Sequence, residues 1–236
     1  MTWTLHTHSN ADALASAVAH CIAADLDDAL AERGQALLAV AGGRSSPPVY
    51  RQLAAQPREW SRVTILPSDE RWVAAGHPDC NLRQLQQAFA GAAGINWLAL
   101  VPEAPDGDVD ARFANTQLKS HAQAFDLCML GMGADGHFAS LFPGAANLGA
   151  GLAVADSASS DAAIALLPDP LPAAGPQPRI SLTLQRLLRS RRLLLVISGA
   201  DKRAIFERAS FADPLQLPVA ALLNAAHPNA QVHWSP

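Results

Sequence analysis

Cysteine is scarce. Cys21, Cys80 and Cys128 are the only three in 236 residues, and their spacing gives neither a CxxC pair nor a zinc-ligand pattern. An odd, scattered set argues against a disulfide framework and suits a reducing compartment, so a cytoplasmic location is expected. Charge is also sparse, at 16% of residues, and leans acidic, with a net charge of −4. A nucleic-acid binder would show a basic excess, so no nucleic-acid partner is expected. The one basic run, Arg189, Arg191 and Arg192, reads as a solvated face. No apolar run approaches the ~20 residues of a membrane helix, and no membrane partner is expected. The first sixteen residues, MTWTLHTHSNADALAS, lack a basic region followed by an apolar core, so no signal peptide is expected. There is no internal repeat, no HExxH, no GxSxG elbow and no GxGxxG after a first strand. These absences argue against a zinc hydrolase, a serine hydrolase and a dinucleotide enzyme; neither metal nor cofactor is expected.

What is present is apolar and patterned. Half of the residues are hydrophobic, enough for one large core, and the length fits a single α/β domain over residues 1–236. Short apolar runs bounded by turn residues predict strands at Thr2–Thr7, Leu37–Ala41, Val63–Leu66, Ile95–Val101, Leu127–Leu130, Ala163–Leu167, Leu193–Ile197 and Val232–Trp234. Helical spacing predicts a long helix over Ala13–Glu32, capped by Ser9-Asn10 and ended by Gly34. Further helices are predicted up to Ala55, Ala90, Leu188 and Ala209 and over Asp108–Gln123, with a short helix or turn at Val219–Leu223. Residues 145–163 and 168–178 read as loop. The alternation predicts an α/β fold with a mainly parallel sheet and helices on both faces.

In such sheets ligands lie beyond the carboxyl ends of the strands, and polar residues gather at these places. The run through Leu130 breaks at Gly131 and Gly133, then gives Asp135, Gly136 and His137. The strand at Leu37–Ala41 runs into Gly42, Gly43, Arg44, Ser45, Ser46 and two prolines before a helix, the layout of an anion site built on backbone N–H groups. After Leu66 come Asp69, Glu70 and Arg71, then Asn81 and Arg83 at a helix start. Arg179 precedes an apolar segment. Lys202 stands just inside a helix start, unfavourable for the helix dipole unless an anion sits there.

Residues 131–144, GMGADGHFASLFPG, resemble the signature of the 6-phosphogluconolactonases, enzymes similar to the glucosamine-6-phosphate isomerases/deaminases. GGRSSP resembles the phosphate loop of that family. DERWV followed by DCNLR, then RISLT, then GADK resemble its other segments, in its order and over most of the chain. Phe138 stands in place of the usual Thr, and Cys80 in place of Ser. The resemblance implies a modified Rossmann-like fold without a nucleotide, and hydrolysis of 6-phospho-D-glucono-1,5-lactone to 6-phospho-D-gluconate, the second step of the oxidative pentose phosphate pathway. Its only implied partner is that small-molecule substrate, for a monomer or weak homodimer.

A lactone is an activated ester, so its hydrolysis needs a base for water and donors for the tetrahedral oxyanion. The implied roles follow. His137 is the general base, with Asp135 beside it and Asp69 to orient it or the water. Arg71 and the backbone of the turn from Gly131 through Gly133 to His137 are oxyanion donors. Gly42, Gly43, Arg44, Ser45, Arg179 and Lys202 hold the phosphate, and Asn81 and Arg83 complete the substrate site. Two alternatives stand beside this. An isomerase/deaminase carries a proton-relaying glutamate where this chain has Phe142, and a non-catalytic sugar-phosphate sensor would keep the phosphate clamp and lose His137.

Overall fold

Successive side chains on a strand point to opposite faces, so the apolar runs can feed two helix layers at once. The computed structural model describes residues 3–43, 45–154, 161–172 and 175–236. Along the chain these form β1 (Thr4–Thr7), α1 (Ala11–Arg33), β2 (Ala36–Val40), α2 (Pro47–Ala54), β3 (Val63–Pro67), β4 (Asp69–Arg71), α3 (Asn81–Ala88), β5 (Asn96–Trp97) and α4 (Arg112–Lys119). There follow β6 (Phe125–Leu130), α5 (Leu148–Leu152), β7 (Ala163–Leu166), β8 (Arg179–Leu182), α6 (Leu184–Leu188), β9 (Ser190–Ser198), α7 (Ala200–Ala209), α8 (Val219–Asn224) and β10 (Ala230–Ser235). Seven strands make a parallel sheet in the order β1-β10-β9-β6-β2-β3-β5. Leu38, Val40, Ile65, Leu127, Met129 and Leu194 face α1, α2 and α3, while their neighbours Ala39, Leu66, Cys128, Leu130 and Leu195 face α4 to α8. The sheet is therefore covered on both faces, as the alternation predicted.

Local signals fixed several ends. Asn10 Oδ1 accepts the Ala13 amide at 2.9 Å, and Gly34 ends α1 at φ 70°. Pro47 and Pro48 open α2, where an N–H would lack a partner in any case. Other ends moved. The helix expected over Asp108–Gln123 is only Arg112–Lys119, because the preceding DGDVD segment offers no apolar stripe. The strand expected at Ile95–Val101 pairs only at Asn96–Trp97. The expected loop at 145–163 holds the short helix α5, and its residues 155–160 lie outside the described residues. The arginines expected to form a solvated face are anchored: Arg192 Nε pairs with Asp25 at 2.5 Å, Arg191 Nε approaches Asp126 at 3.4 Å, and Arg189 Nη2 donates to Ala122 O at 2.5 Å.

The largest departure is a second sheet, antiparallel, in the order β4-β8-β7. It hangs from the carboxyl end of β3 through Ser68, whose amide donates to Val40 O at 2.9 Å and whose carbonyl accepts from Leu182 N at 3.0 Å. Among the described residues no helix is long and apolar enough to cross a membrane.

Candidate active site

From β2 the chain builds outward to β3 and β5, and from β6 it builds the other way to β9 and β10. The turns leaving β2 and β6 therefore diverge and open a crevice between them, the switch point where open sheets take ligands. Gly42 and Gly43 leave β2, and Gly131 to His137 leave β6. Lys202 follows β9, and Asp69 to Arg71 follow β3. Four adjacent strands, β9-β6-β2-β3, thus deliver these residues to one edge of the sheet.

The turn after β6 folds a histidine onto an aspartate. His137 Nδ1 lies 2.5 Å from Asp135 Oδ1, and the same oxygen accepts the His137 amide at 3.2 Å. A Cβ at Gly133 would lie 2.2 Å from His137 Cε1 and Nδ1 and 2.6 Å from Asp135 Oδ1, so a side chain there would displace the pair. Gly136 takes φ 76°, and a Cβ there would strike Leu217 at 2.4 Å. Burial pushes the Asp135 carboxyl up, but the hydrogen bond and charge of His137 outweigh it and hold it below the usual carboxylate range. It remains an acceptor, and it fixes Nδ1 as the nitrogen that donates. Nε2 is then the basic nitrogen. Phe138, in place of the family's Thr, is fully buried in the core.

The small sheet supplies the cations. Its register sets Arg71 directly opposite Arg179 and Asp69 opposite Ser181. Like charges across a strand pair repel, and burial lowers the Arg179 guanidinium, with Arg71 lowering it further against the pull of Asp69 and Glu70. Arg179 is 2% exposed; its Nη2 donates to Gly175 O at 2.6 Å, while Nε and Nη1 are buried without a protein partner. Arg71 Nη1 donates to Asp79 O at 2.6 Å, and its Nε is likewise unpartnered. Buried unsatisfied donors are costly, and an anion in the cleft would satisfy these.

The carboxylates of β4 have structural partners. Asp69 accepts from Ser140 Oγ at 2.5 Å and from Ser68 Oγ at 3.1 Å, so it ties the histidine loop to β4; the partner of His137 is Asp135. Glu70, 2% exposed, accepts the amides of Arg71, Asn81 and Leu82 at 2.8, 2.7 and 2.8 Å, and Cys80 Sγ at 3.5 Å. It caps α3 from the preceding strand, β4. Asn81 Nδ2 donates to Asp69 O at 2.7 Å, and its Oδ1 would lie 2.4 Å from a Cβ at Gly42, so a side chain there would push the Asn81 amide out of place. Arg83 Nη1 donates to Gly76 O at 2.6 Å. In the β2 loop Ser45 is exposed, whereas Ser46 is buried and donates to Gly42 O at 3.2 Å. Arg44 lies outside the described residues. Lys202 is partly buried in the first turn of α7, behind Gly199 at φ 92°.

A profile of the glucosamine-6-phosphate isomerases/6-phosphogluconolactonase family matches residues 9–234. The chain belongs to this family. It is 34% identical to a 6-phosphogluconolactonase of Pseudomonas putida over 98% of this chain and 93% of that one. It is 38% identical to that of Mesorhizobium japonicum, over 94% and 91%. In structure it is similar to the 6-phosphogluconolactonase of Shewanella baltica, with a TM-score of 0.90, 28% identity and coverage of 99% and 98%. Within the glucosamine-6-phosphate isomerase/6-phosphogluconolactonase fold, sequence reasoning missed Ser140, Ser68 and Glu70. Ser140 serves an aspartate far along the chain and so leaves no local signal, and the helix that Glu70 serves begins beyond an intervening loop. Among the described residues no three His, Cys, Asp or Glu side chains converge as metal ligands.

Proposed function

We propose that this protein hydrolyses 6-phospho-D-glucono-1,5-lactone to 6-phospho-D-gluconate in the oxidative pentose phosphate pathway, with His137 as general base. The observation that carries the reading is the His137–Asp135 pair at the switch point, beside a buried Arg179 with two unpartnered nitrogens. Family membership and the names of the similar enzymes support the lactonase side of the family.

The chemistry follows from the hydrogen bonds. Asp135 holds Nδ1–H, so the Nε2 lone pair takes a proton from water as that water attacks C1. The carbonyl π electrons move to oxygen, giving a tetrahedral oxyanion. The amides of Gly133, Gly136 and His137 are committed to His137 O, Gly133 O and Asp135, so they are not the donors for this charge. Arg71 Nε is the side-chain donor we assign to it. Collapse of the intermediate re-forms the carbonyl and breaks C1–O5, and the imidazolium returns its proton to the leaving ring oxygen. Arg179, Lys202 and the Gly42–Ser45 loop hold the phosphate away from the reacting carbon, where binding supplies orientation. Phe142, packed on the imidazole, offers no group to shuttle a proton around an opening sugar ring, which weighs against isomerase chemistry. The test is acid release from freshly generated 6-phosphogluconolactone, above its spontaneous hydrolysis, with glucosamine 6-phosphate as control. Turnover of the amino sugar and not the lactone would overturn the assignment.

A further inference from the structure

The base needs more than a hydrogen bond at one nitrogen. A single bond from Nδ1 to Asp135 fixes one point of the imidazole and leaves the ring free to swing about it. The ring is also only partly covered, with a side-chain exposure of 27%. Something must fix its plane if Nε2 is to meet water and lactone in a reactive geometry, where displacement of about 1 Å costs heavily.

Phe142 is in the position to do this. Its ring centroid lies 4.0 Å from that of His137, with 32° between the planes, and Phe142 is only 8% exposed. The same ring lies 5.9 Å from Arg179 Cζ. It is held by its own segment: Leu141 and Phe138 form a bridge, the Phe142 amide donates to Ser140 O at 3.1 Å, and Ser140 is tied to Asp69. Ala139 takes φ 47°, a left-handed conformation unfavourable for alanine, and so sharpens the turn that brings Phe142 back under the histidine. The loop therefore doubles back to lay a rigid aromatic wall against the base. Phenylalanine has one broad torsion beyond χ1 and little freedom once packed, which suits it to hold another ring.

We infer that Phe142 is a positioning residue for the reaction: its ring sets the plane of the His137 imidazole so that Nε2 faces the cleft, and it does so beside the arginine that receives the anion. This rests on the lactonase reading of the site. It predicts that the ring contributes to turnover and not to phosphate affinity, since the nearer contact is to the base and the farther one to Arg179.

Phe142→Leu keeps an apolar side chain and removes the ring face. Its kcat for the lactone should fall about three- to tenfold, the size of an aromatic pair contact, with KM within about twofold of wild type. Phe142→Tyr keeps the ring and should retain most of the wild-type kcat. In a His137→Asn background, where the base is already gone, Phe142→Leu should cause no further loss. Equal losses from Phe142→Leu in both backgrounds, or an unchanged kcat in the single variant, would overturn the inference. So would failure of the tyrosine variant to rescue turnover while folding with a normal thermal midpoint. A wild-type protein without lactonase activity would instead sink the functional reading, a distinct outcome read before any variant is made.

Discussion

His137 works through one nitrogen, because Asp135 occupies the other. Replacing it by asparagine keeps a hydrogen-bonding group but removes the base. His137→Asn should lower kcat by about 10²–10⁴-fold and leave KM nearly unchanged, read above the spontaneous rate. A folded variant that turns over like wild type would remove His137 from the chemistry. The cations make the opposite prediction. A phosphate contact is the same in ground and transition states, so Arg179→Ala and Lys202→Ala should each raise KM about ten- to a hundredfold, the range of charge-assisted hydrogen bonds, with a smaller change in kcat. An unchanged KM in either variant takes that residue out of the clamp. Of these residues the histidine was legible in sequence, because a glycine turn and an acidic neighbour mark it locally. The two buried, unpartnered nitrogens of Arg179 were not, because burial is a property of the packed sheet.

At the scale of elements, α3 begins without help from its own N-cap. Cys80 makes no capping bond, and the Asn81 and Leu82 amides are served by Glu70 of β4. Burial raises the Glu70 carboxyl, and the three backbone amides draw it back toward the charged form. Glu70→Gln leaves one oxygen where two accepted, and should lower stability by about 2 kcal/mol. A urea midpoint equal to that of wild type would show that the cap contributes nothing. The same pairing explains why β4 escaped prediction. A three-residue strand has no period to read, and its partner β8 lies far along the chain. Strands β2, β6 and β9 are buried on both faces and read as continuous apolar runs, so they were visible.

At the scale of the whole molecule, the sheet closes on an edge strand held through histidines. β1 pairs only with β10, and there His6 and His8 stack on His233 at 4.8 and 5.2 Å between centroids. His8 Nε2 lies 3.0 Å from His233 Nδ1, and Gln231 and Arg192 lie behind, the latter paired with Asp25. Burial, then His6, His8 and Arg192, push His233 down from the ordinary 6.5 to about 4. A histidine depressed in the folded state binds its proton more readily when unfolded. Stability should therefore be full above about pH 6.5 and decline as pH falls toward 4, by up to about 3 kcal/mol. Urea unfolding at several pH values checks this, and His233→Gln should flatten the slope. A wild-type slope no steeper than that of the variant would sink the prediction.

The sequence by itself determined most strands of the parallel sheet, the long capped helix, the class of that sheet and the two glycine turns that carry His137 and the β2 loop. Each is written in residues close along the chain: a period, a cap, or a glycine where a side chain would collide. Tertiary structure alone decided that four strand ends meet at one edge, that Arg71 and Arg179 face each other across a second sheet, and that Phe142 lies on the imidazole. It also gave Asp69 to Ser140 and Glu70 to α3. The pairings of Arg71 with Arg179 and of Asp69 with Ser140 join residues far apart in sequence. Which donor meets which acceptor there is set by strand order and register, and neither composition nor local periodicity encodes that order.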